Sequence, residues 1–141
     1  MRIRNALPED ETAFYELLCD LEDMELDPKR FHDAYIDYLE DGRMHCLVAE
    51  EDGEAVGVLN LRINTMLCRT GKIGEIVELV VRGGARSRGT GHMLFQEACR
   101  IAEEAGCVRL EVSSNNTRLG AHRFYEREGM EQSHLKFVRY F

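Results

Sequence analysis

Val80-Val81-Arg82-Gly83-Gly84-Ala85-Arg86-Ser87-Arg88-Gly89-Thr90-Gly91 is the stretch that decides the fold. The apolar, β-branched run 76–81 leads into it and predicts a buried strand. Over 92–105, apolar residues recur at helical spacing, which predicts a helix with one face toward the core: Leu94, Ala98, Ile101 and Ala105. A glycine loop between a strand and a helix favours anion binding, because the first helical N–H groups lack partners and the helix dipole is positive there.

The glycine spacing separates three kinds of phosphate loop. A P-loop requires a glycine followed by Lys and Ser or Thr, which is missing here. A dinucleotide-binding loop requires a third glycine where Leu94 stands. The remaining phosphate loop is Arg-x-x-Gly-x-Gly, from Arg86 to Gly91, in which the glycines admit a phosphate and the arginines offer paired donors. A solvated turn with two arginines is the alternative.

Arg86 to Gly91 resembles the pyrophosphate loop of the Gcn5-related N-acetyltransferases (GNATs), which bind acetyl-coenzyme A (acetyl-CoA). A second stretch, Ala121-His122-Arg123-Phe124-Tyr125-Glu126-Arg127-Glu128-Gly129-Met130, resembles the closing helix of that family. The two motifs stand in the family's order, and the resemblance extends from Ile3 to Tyr140. It implies one acetyltransferase domain over residues 1–141, with acetyl-CoA as cosubstrate.

The predicted order of elements is β-α-α-β-β-β-α-β-α-β, which is typical of a mixed sheet with helices on both faces. Together with the resemblance it implies an α/β (α+β) GNAT fold. Its mixed, mostly antiparallel sheet would have six to seven strands, flanked by about four helices and splayed between strands 4 and 5. Asp52-Gly53 predicts a hairpin between strands 46–50 and 56–63, and 66–72 is expected to be a loop. Leu135, Phe137 and Tyr140 predict the last strand.

Charge and cysteine content limit the classes of function. The 141-residue chain has a net charge of −8, which argues against nucleic-acid binding. No apolar run approaches the ~20 residues that a membrane helix needs. The five cysteines include no Cys-x-x-Cys pair, so we expect neither a metal site nor a disulfide framework. A cytoplasmic location is the simplest reading, and a homodimer is a reasonable expectation for a small enzyme.

Acyl transfer to an amine requires a base, because an alkylammonium with a pKa near ~10.4 must first lose a proton. Glu75 and Glu78 both lie within the predicted strand, which extends over residues 73–81. Their odd spacing puts them on opposite faces unless a bulge intervenes. By resemblance, Glu75 stands where histone-type members carry their base, and we favour it over Glu78. Tyr125 matches the family's general acid; a core tyrosine is the alternative.

The resemblance also implies the residues that bind acetyl-CoA. Backbone groups near Leu79 and Val81 would pair with the pantetheine arm, and the Leu79 N–H would polarise the thioester carbonyl. Asn115 resembles a pantetheine contact, with a strand-end or helix-cap residue as the alternative. The full set of expected contacts is Leu79, Val80, Val81, Arg86, Ser87, Arg88, Gly89, Thr90, Gly91, Asn115 and Tyr125.

Two stretches, 73–81 and 121–134, resemble a narrower group, the aminoalkylphosphonate N-acetyltransferases. They imply a small-molecule amine substrate with an anionic tail, which needs a cation: Arg62, Arg69, Lys72 or Lys136. The acidic connector 20–27 is a solvated loop or a lip for the amine. A protein or peptide N-acetyltransferase and a CoA-binding sensor without turnover remain as alternatives.

Overall fold

The computed structural model describes residues 1–86 and 88–141. Its regular elements, in chain order, are β1 Arg2–Asn5, α1 Glu11–Glu22, α2 Pro28–Glu40, β2 Met44–Glu51, β3 Glu54–Met66, β4 Gly71–Val81, α3 Thr90–Glu104, β5 Arg109–Val112 and α4 Leu119–Arg127. The chain forms two compact units, Met1–Glu111 and Val112–Phe141. Within the described ranges, no helix is both long enough and apolar enough to span a bilayer.

One five-stranded sheet organises the larger unit, with the strand order β1-β2-β3-β4-β5. Strands β1 to β4 pair antiparallel with their neighbours. The chain then crosses through α3 to β5, where the Val108 N–H donates to the Lys72 carbonyl at 2.8 Å. The predicted α/β fold is therefore confirmed, although its sheet has five strands instead of six to seven.

The helices cover both faces of the sheet. On one face, α1 and α2 supply Phe14, Leu17 and Tyr35 to a core cluster with Val48 and Val58. On the other face, α3 packs its predicted apolar stripe, with Leu94 and Ala98 completely enclosed and Ile101 and Ala105 half-buried. Between these layers the central parts of β2 and β3, residues 46–49 and 56–61, are buried and contain no charged residue.

The β2–β3 hairpin turns at Asp52-Gly53, as predicted. Both residues have left-handed backbone angles, with φ of 51° and 78°. Two successive left-handed residues define the turn whose twist matches a hairpin, and Asp followed by Gly tolerates it best. The next connection is shorter than expected, since only Leu67–Thr70 separates β3 from β4.

The predicted strand at the C-terminus is wrong. Residues after α4 have no regular structure, and Leu135, Phe137 and Tyr140 are 83%, 90% and 89% exposed. A strand needs a neighbour whose backbone N–H and C=O groups it can pair. Within Val112–Phe141 the chain beyond β5 forms only α4, so its alternating apolar pattern has no ladder to join.

Gly57 sets the distance between α3 and the sheet. A Cβ atom at this position would lie 3.1 Å from Leu94 Cδ1, 3.2 Å from Thr90 Cγ2 and 3.3 Å from the Val80 carbonyl oxygen. The first turn of α3 therefore approaches the sheet closely only because residue 57 has no side chain. This packing also fixes the glycine-rich loop that precedes α3.

We expect Gly57→Val to lower the free energy of unfolding by about 2 kcal/mol, because overpacking forces α3 away from the sheet. Urea denaturation followed by circular dichroism measures this loss. Gly42→Val is the matched control, since a Cβ at Gly42 meets no atom within 4 Å. Equal losses in the two variants would contradict the close-packing role of Gly57.

Candidate active site

A β-bulge on β4 brings the two candidate bases to one face of the sheet. Asn60 lies opposite Glu78, but the next residue, Leu61, lies opposite Ile76. Val77 is therefore the extra residue of a bulge. Beyond it, Arg62 lies opposite Glu75, so Glu75 and Glu78 share the face that α1 and α2 cover. The odd spacing of Glu75 and Glu78 puts them on opposite faces unless a bulge intervenes, and this bulge is present.

Three side chains from three elements form what we call the Glu78 site: Tyr38 of α2, Asn60 of β3 and Glu78 of β4. The Tyr38 hydroxyl lies 3.1 Å from both carboxylate oxygens of Glu78. The Asn60 amide nitrogen donates to Glu78 Oε1 at 2.9 Å. These neutral donors fix the carboxylate while leaving its charge without a close ion-pair partner among them.

Asn60 is almost completely buried, at 1% exposure. Its side-chain oxygen is also buried and has no hydrogen-bond partner among residues 1–86 and 88–141. The amide nitrogen must face Glu78, because the opposite orientation would bring an oxygen against the carboxylate. The Glu78 site thus contains an acceptor that nothing in the described chain satisfies.

Opposing influences act on the carboxyl group of Glu78. Burial raises the pKa of Glu78 above its ordinary value, because a desolvated carboxylate is disfavoured. Hydrogen bonds from Asn60 and Tyr38, and the positive charge of Arg62, oppose this shift in pKa, whereas the charge of Glu22 adds to it. A half-buried carboxylate with a raised pKa is suited to accept a proton near neutral pH.

Glu75 has a different environment on the same face. Its Oε1 lies 3.8 Å from Arg62 Nη1, and its side chain is 40% exposed. This pair is long and partly solvated, so it holds Glu75 only loosely. Of the two candidate bases, Glu78 is therefore the enclosed and hydrogen-bonded one.

The glycine-rich loop leads into α3 as predicted. Gly89 is left-handed, with φ of 84°, and the helix begins at Thr90, which is buried. A Cβ atom on Gly83, Gly84 or Gly89 would meet no atom within 4 Å, so the surface above these residues is open. This open surface at the start of α3, where the helix dipole is positive, suits an anion such as a diphosphate.

The two loop arginines have protein partners in this structure. Arg86 Nε donates to the Val81 carbonyl at 3.1 Å, and Arg88 Nη2 donates to Glu51 Oε2 at 2.8 Å. Both side chains are on exposed residues, from which they can exchange these partners for a phosphate. The predicted contact at Ser87 lies outside the described residues.

A groove of about 780 Å³ adjoins this loop. Gly83 and Arg86 line one side. The other side is formed by the end of α1 and the acidic connector, with the lining residues Tyr15, Glu16, Cys19, Asp20, Asp23, Met24 and Glu25. The connector is thus a solvent-exposed segment that borders this groove, and its role as a lip for the amine stays a prediction.

The smaller unit contains Tyr125 and Asn115. Burial raises the pKa of Tyr125 to about 12, and its ring meets Phe124 edge-on, with the ring centroids 5.3 Å apart. The Asn115 side-chain oxygen accepts hydrogen bonds from the Thr117 amide at 2.9 Å and hydroxyl at 2.8 Å. Asn115 therefore stabilises the turn between β5 and α4, with its amide nitrogen still able to donate.

Sequence reasoning missed two members of the Glu78 site. Tyr38 falls among the apolar residues of α2, and Asn60 falls on the alternating polar face of β3, so neither is singled out by its sequence pattern. The available signal was the alternation of Asn60, Arg62 and Asn64 beside a strand that carries Glu75 and Glu78. A polar face that continues across two central strands indicates a shared site rather than a solvated surface.

In this structure, the strand that carries a carboxylate with a raised pKa leads through a glycine loop into a helix. The chain belongs to the acetyltransferase (GNAT) family, whose model matches residues 9–130. This confirms the family that the two sequence motifs predicted.

Several known proteins are similar to this chain in sequence or in structure. The chain is 39% identical to the aminoalkylphosphonate N-acetyltransferase of Salmonella typhimurium, over 97% of this chain and 89% of that protein. A transcriptional regulator from Bacillus halodurans C-125 has a similar structure, with a TM-score of 0.93, 26% identity and 99% coverage of both chains. The glucosamine-6-phosphate N-acetyltransferase of Arabidopsis thaliana shares the fold, with a TM-score of 0.84 and 22% identity over 99% of this chain and 97% of that one.

We expect Tyr38→Phe to raise the pKa of Glu78 further, because it removes hydrogen bonds that stabilise the charged carboxylate. An NMR titration of protein labelled at the glutamate carboxyl carbons measures this pKa. Tyr35→Phe is the matched control on the same helix, since the Tyr35 hydroxyl donates to the Leu7 carbonyl instead. An unchanged Glu78 pKa in Tyr38→Phe would show that these hydrogen bonds do not act on the carboxylate.

Proposed function

We propose that this protein transfers an acetyl group from acetyl-CoA to the primary amine of a small molecule. The observation that carries this proposal is the Glu78 site, a fixed carboxylate with a raised pKa beside an unsatisfied amide oxygen. The Glu78 carboxylate and the Asn60 amide oxygen are both acceptors, and together they suit an alkylammonium donor. The relationship to an aminoalkylphosphonate N-acetyltransferase supports an acceptor that is an aminoalkyl phosphonate or a similar amino acid.

Glu78 is the general base in this proposal, with Glu75 as the alternative. The Glu78 carboxylate takes a proton from the ammonium group, and the freed nitrogen lone pair attacks the thioester carbonyl carbon. A carbon–nitrogen bond forms, the nitrogen loses its second proton, and the carbon–sulfur bond breaks with its electron pair left on sulfur. Protonation of that sulfur releases CoA. Burial supports Glu78 in this role, because a base is most effective when its pKa lies near the working pH.

The loop and the end of β4 would hold acetyl-CoA, which supplies the activated acetyl group. Main-chain N–H groups from Gly89 to Gly91 and the arginines Arg86 and Arg88 would bind its diphosphate. Backbone groups of Leu79, Val80 and Val81 would pair with the pantetheine arm, and the Leu79 N–H would stabilise the developing oxyanion. Asn115 would donate its amide to the same arm.

Tyr125 would protonate the departing sulfur. Its phenol is protonated at neutral pH, since its ordinary pKa already lies well above 7 and burial raises that pKa to about 12. The departing thiolate needs a proton, and in this proposal the Tyr125 phenol provides it as the carbon–sulfur bond breaks and then takes up the second proton that the nitrogen releases.

A screen of amines with acetyl-CoA, followed by release of free thiol, tests the proposed function. Turnover with small aminoalkyl acids supports it. Turnover with peptides alone would instead indicate a protein or peptide acetyltransferase, and calorimetric binding of CoA without turnover would indicate a sensor.

Replacing the proposed base separates the two carboxylates. We expect Glu78→Gln to lower kcat by about 100-fold or more, because a neutral amide cannot accept the proton. Glu75→Gln, the matched control on the same strand, should retain most of the activity. In wild type, the rate should fall as the pH drops through the raised pKa of Glu78, where the base becomes protonated. The opposite ranking of the variants would assign the base to Glu75.

Tyr125→Phe tests the proposed acid. We expect kcat to fall by about 100-fold, because the variant cannot protonate the departing sulfur, while calorimetry gives nearly unchanged affinity for CoA. Tyr140→Phe, in the exposed C-terminal segment, is the control and should keep the wild-type rate. Equal rates in wild type and Tyr125→Phe would remove this residue from the mechanism.

A further inference from the structure

Arg62 lies beside the Glu78 site on the same face of the sheet. It follows Asn60 by two residues along β3, so the two side chains point the same way and are separated by about 7 Å along the strand. The charge of Arg62 acts on both Tyr38 and Glu78, lowering the pKa of each group. An arginine therefore stands next to the proposed base without contacting it closely.

The guanidinium of Arg62 has unused binding capacity. It carries five N–H donors, yet it makes no hydrogen bond to any residue in 1–86 or 88–141. Its ion pair is the 3.8 Å approach to Glu75, which is too long for a hydrogen bond. The Arg62 side chain is 31% exposed, so its guanidinium donors are open to solvent and to a ligand.

Arg4 of the same chain differs from Arg62, because its guanidinium is fully engaged by carboxylates. Its guanidinium binds both oxygens of Asp10 at 2.8 and 2.9 Å and also Glu50 at 3.1 Å. Arg62 faces a carboxylate as well but leaves it at a distance. The forked donors of the half-buried Arg62 guanidinium make no hydrogen bond to the described protein. They therefore fit an anion with several oxygens, such as a phosphonate or a carboxylate.

We propose that Arg62 binds the anionic group of the acceptor while Glu78 receives the proton of its amine. This inference rests on the proposed function and narrows its substrate class. The acceptor is a short aliphatic amine whose anionic group lies within about 5–8 Å of the nitrogen, as the spacing along β3 requires. Glu75 is the resting partner that the acceptor's anion displaces, which gives this residue a role other than base.

Kinetics with three amines of similar length test this assignment: 2-aminoethylphosphonate, 3-aminopropanoate and uncharged propylamine. We expect wild type to prefer the charged acceptors. Arg62→Gln should lower kcat/KM by about 10- to 100-fold for the charged acceptors, mainly through KM, because a charge-assisted hydrogen bond is lost. At a pH above the raised pKa of Glu78, where the base is charged with or without Arg62, the rate with propylamine should fall much less than the rates with the charged acceptors. Circular dichroism verifies that the variant folds.

Two further variants make the test specific. Arg62→Lys keeps the charge but not the fork and should recover part of the lost affinity. Arg43→Gln makes the same change in charge at an exposed arginine that is bonded to Asp41, and it should leave all three rates unchanged.

Several outcomes would overturn the assignment. The first is an equal loss of kcat/KM with propylamine and with the charged acceptors in Arg62→Gln. The second is a loss of kcat/KM in Arg43→Gln as large as that in Arg62→Gln. The third is a preference of wild type for propylamine. A preference between phosphonate and carboxylate would identify the anion. Absence of thiol release with every amine in wild type would instead refute the proposed function itself.

Discussion

The extra residue at Val77 is the constraint on which the candidate site depends. In a regular strand, Glu75 and Glu78 would point to opposite faces, one toward α3 and the other toward α1 and α2. The bulge shifts the register by one residue, so both carboxylates lie on the α1 and α2 face, opposite Arg62 and Asn60. It thereby creates a polar patch inside an otherwise apolar layer, and such a patch must be satisfied or used.

Two neutral donors make a buried carboxylate tolerable at this position. Tyr38 and Asn60 stabilise the charged form of Glu78, while desolvation keeps its pKa raised. A close arginine would have stabilised the charge more strongly, but it would also have lowered the pKa and weakened the base. Arg62 makes no close contact with Glu78. The pKa of the carboxyl group therefore stays raised, and the guanidinium donors stay available to an anion.

Sequence reasoning succeeded where the signal was local. Asp52-Gly53 defined its hairpin because successive left-handed residues need those side chains, and the helix after the glycine loop followed from the spacing of Leu94 and Ala98. It failed at Leu135 to Tyr140, because an alternating apolar pattern specifies a strand only where a neighbour offers a ladder. It also favoured Glu75 over Glu78, whereas the structure encloses Glu78; the bulge that brings both to one face has no distinct sequence signal here.

The sequence by itself determined the family, the order of all elements through α4 and the loop that suits a diphosphate, because each depends on residues that are close in the chain. Only the tertiary structure decided which carboxylate is enclosed. That outcome needed α2 to bring Tyr38, and β3 to bring Asn60 and Arg62, to one stretch of β4. Burial and pKa arise from groups far apart in sequence, so periodicity and motifs along the chain do not contain them.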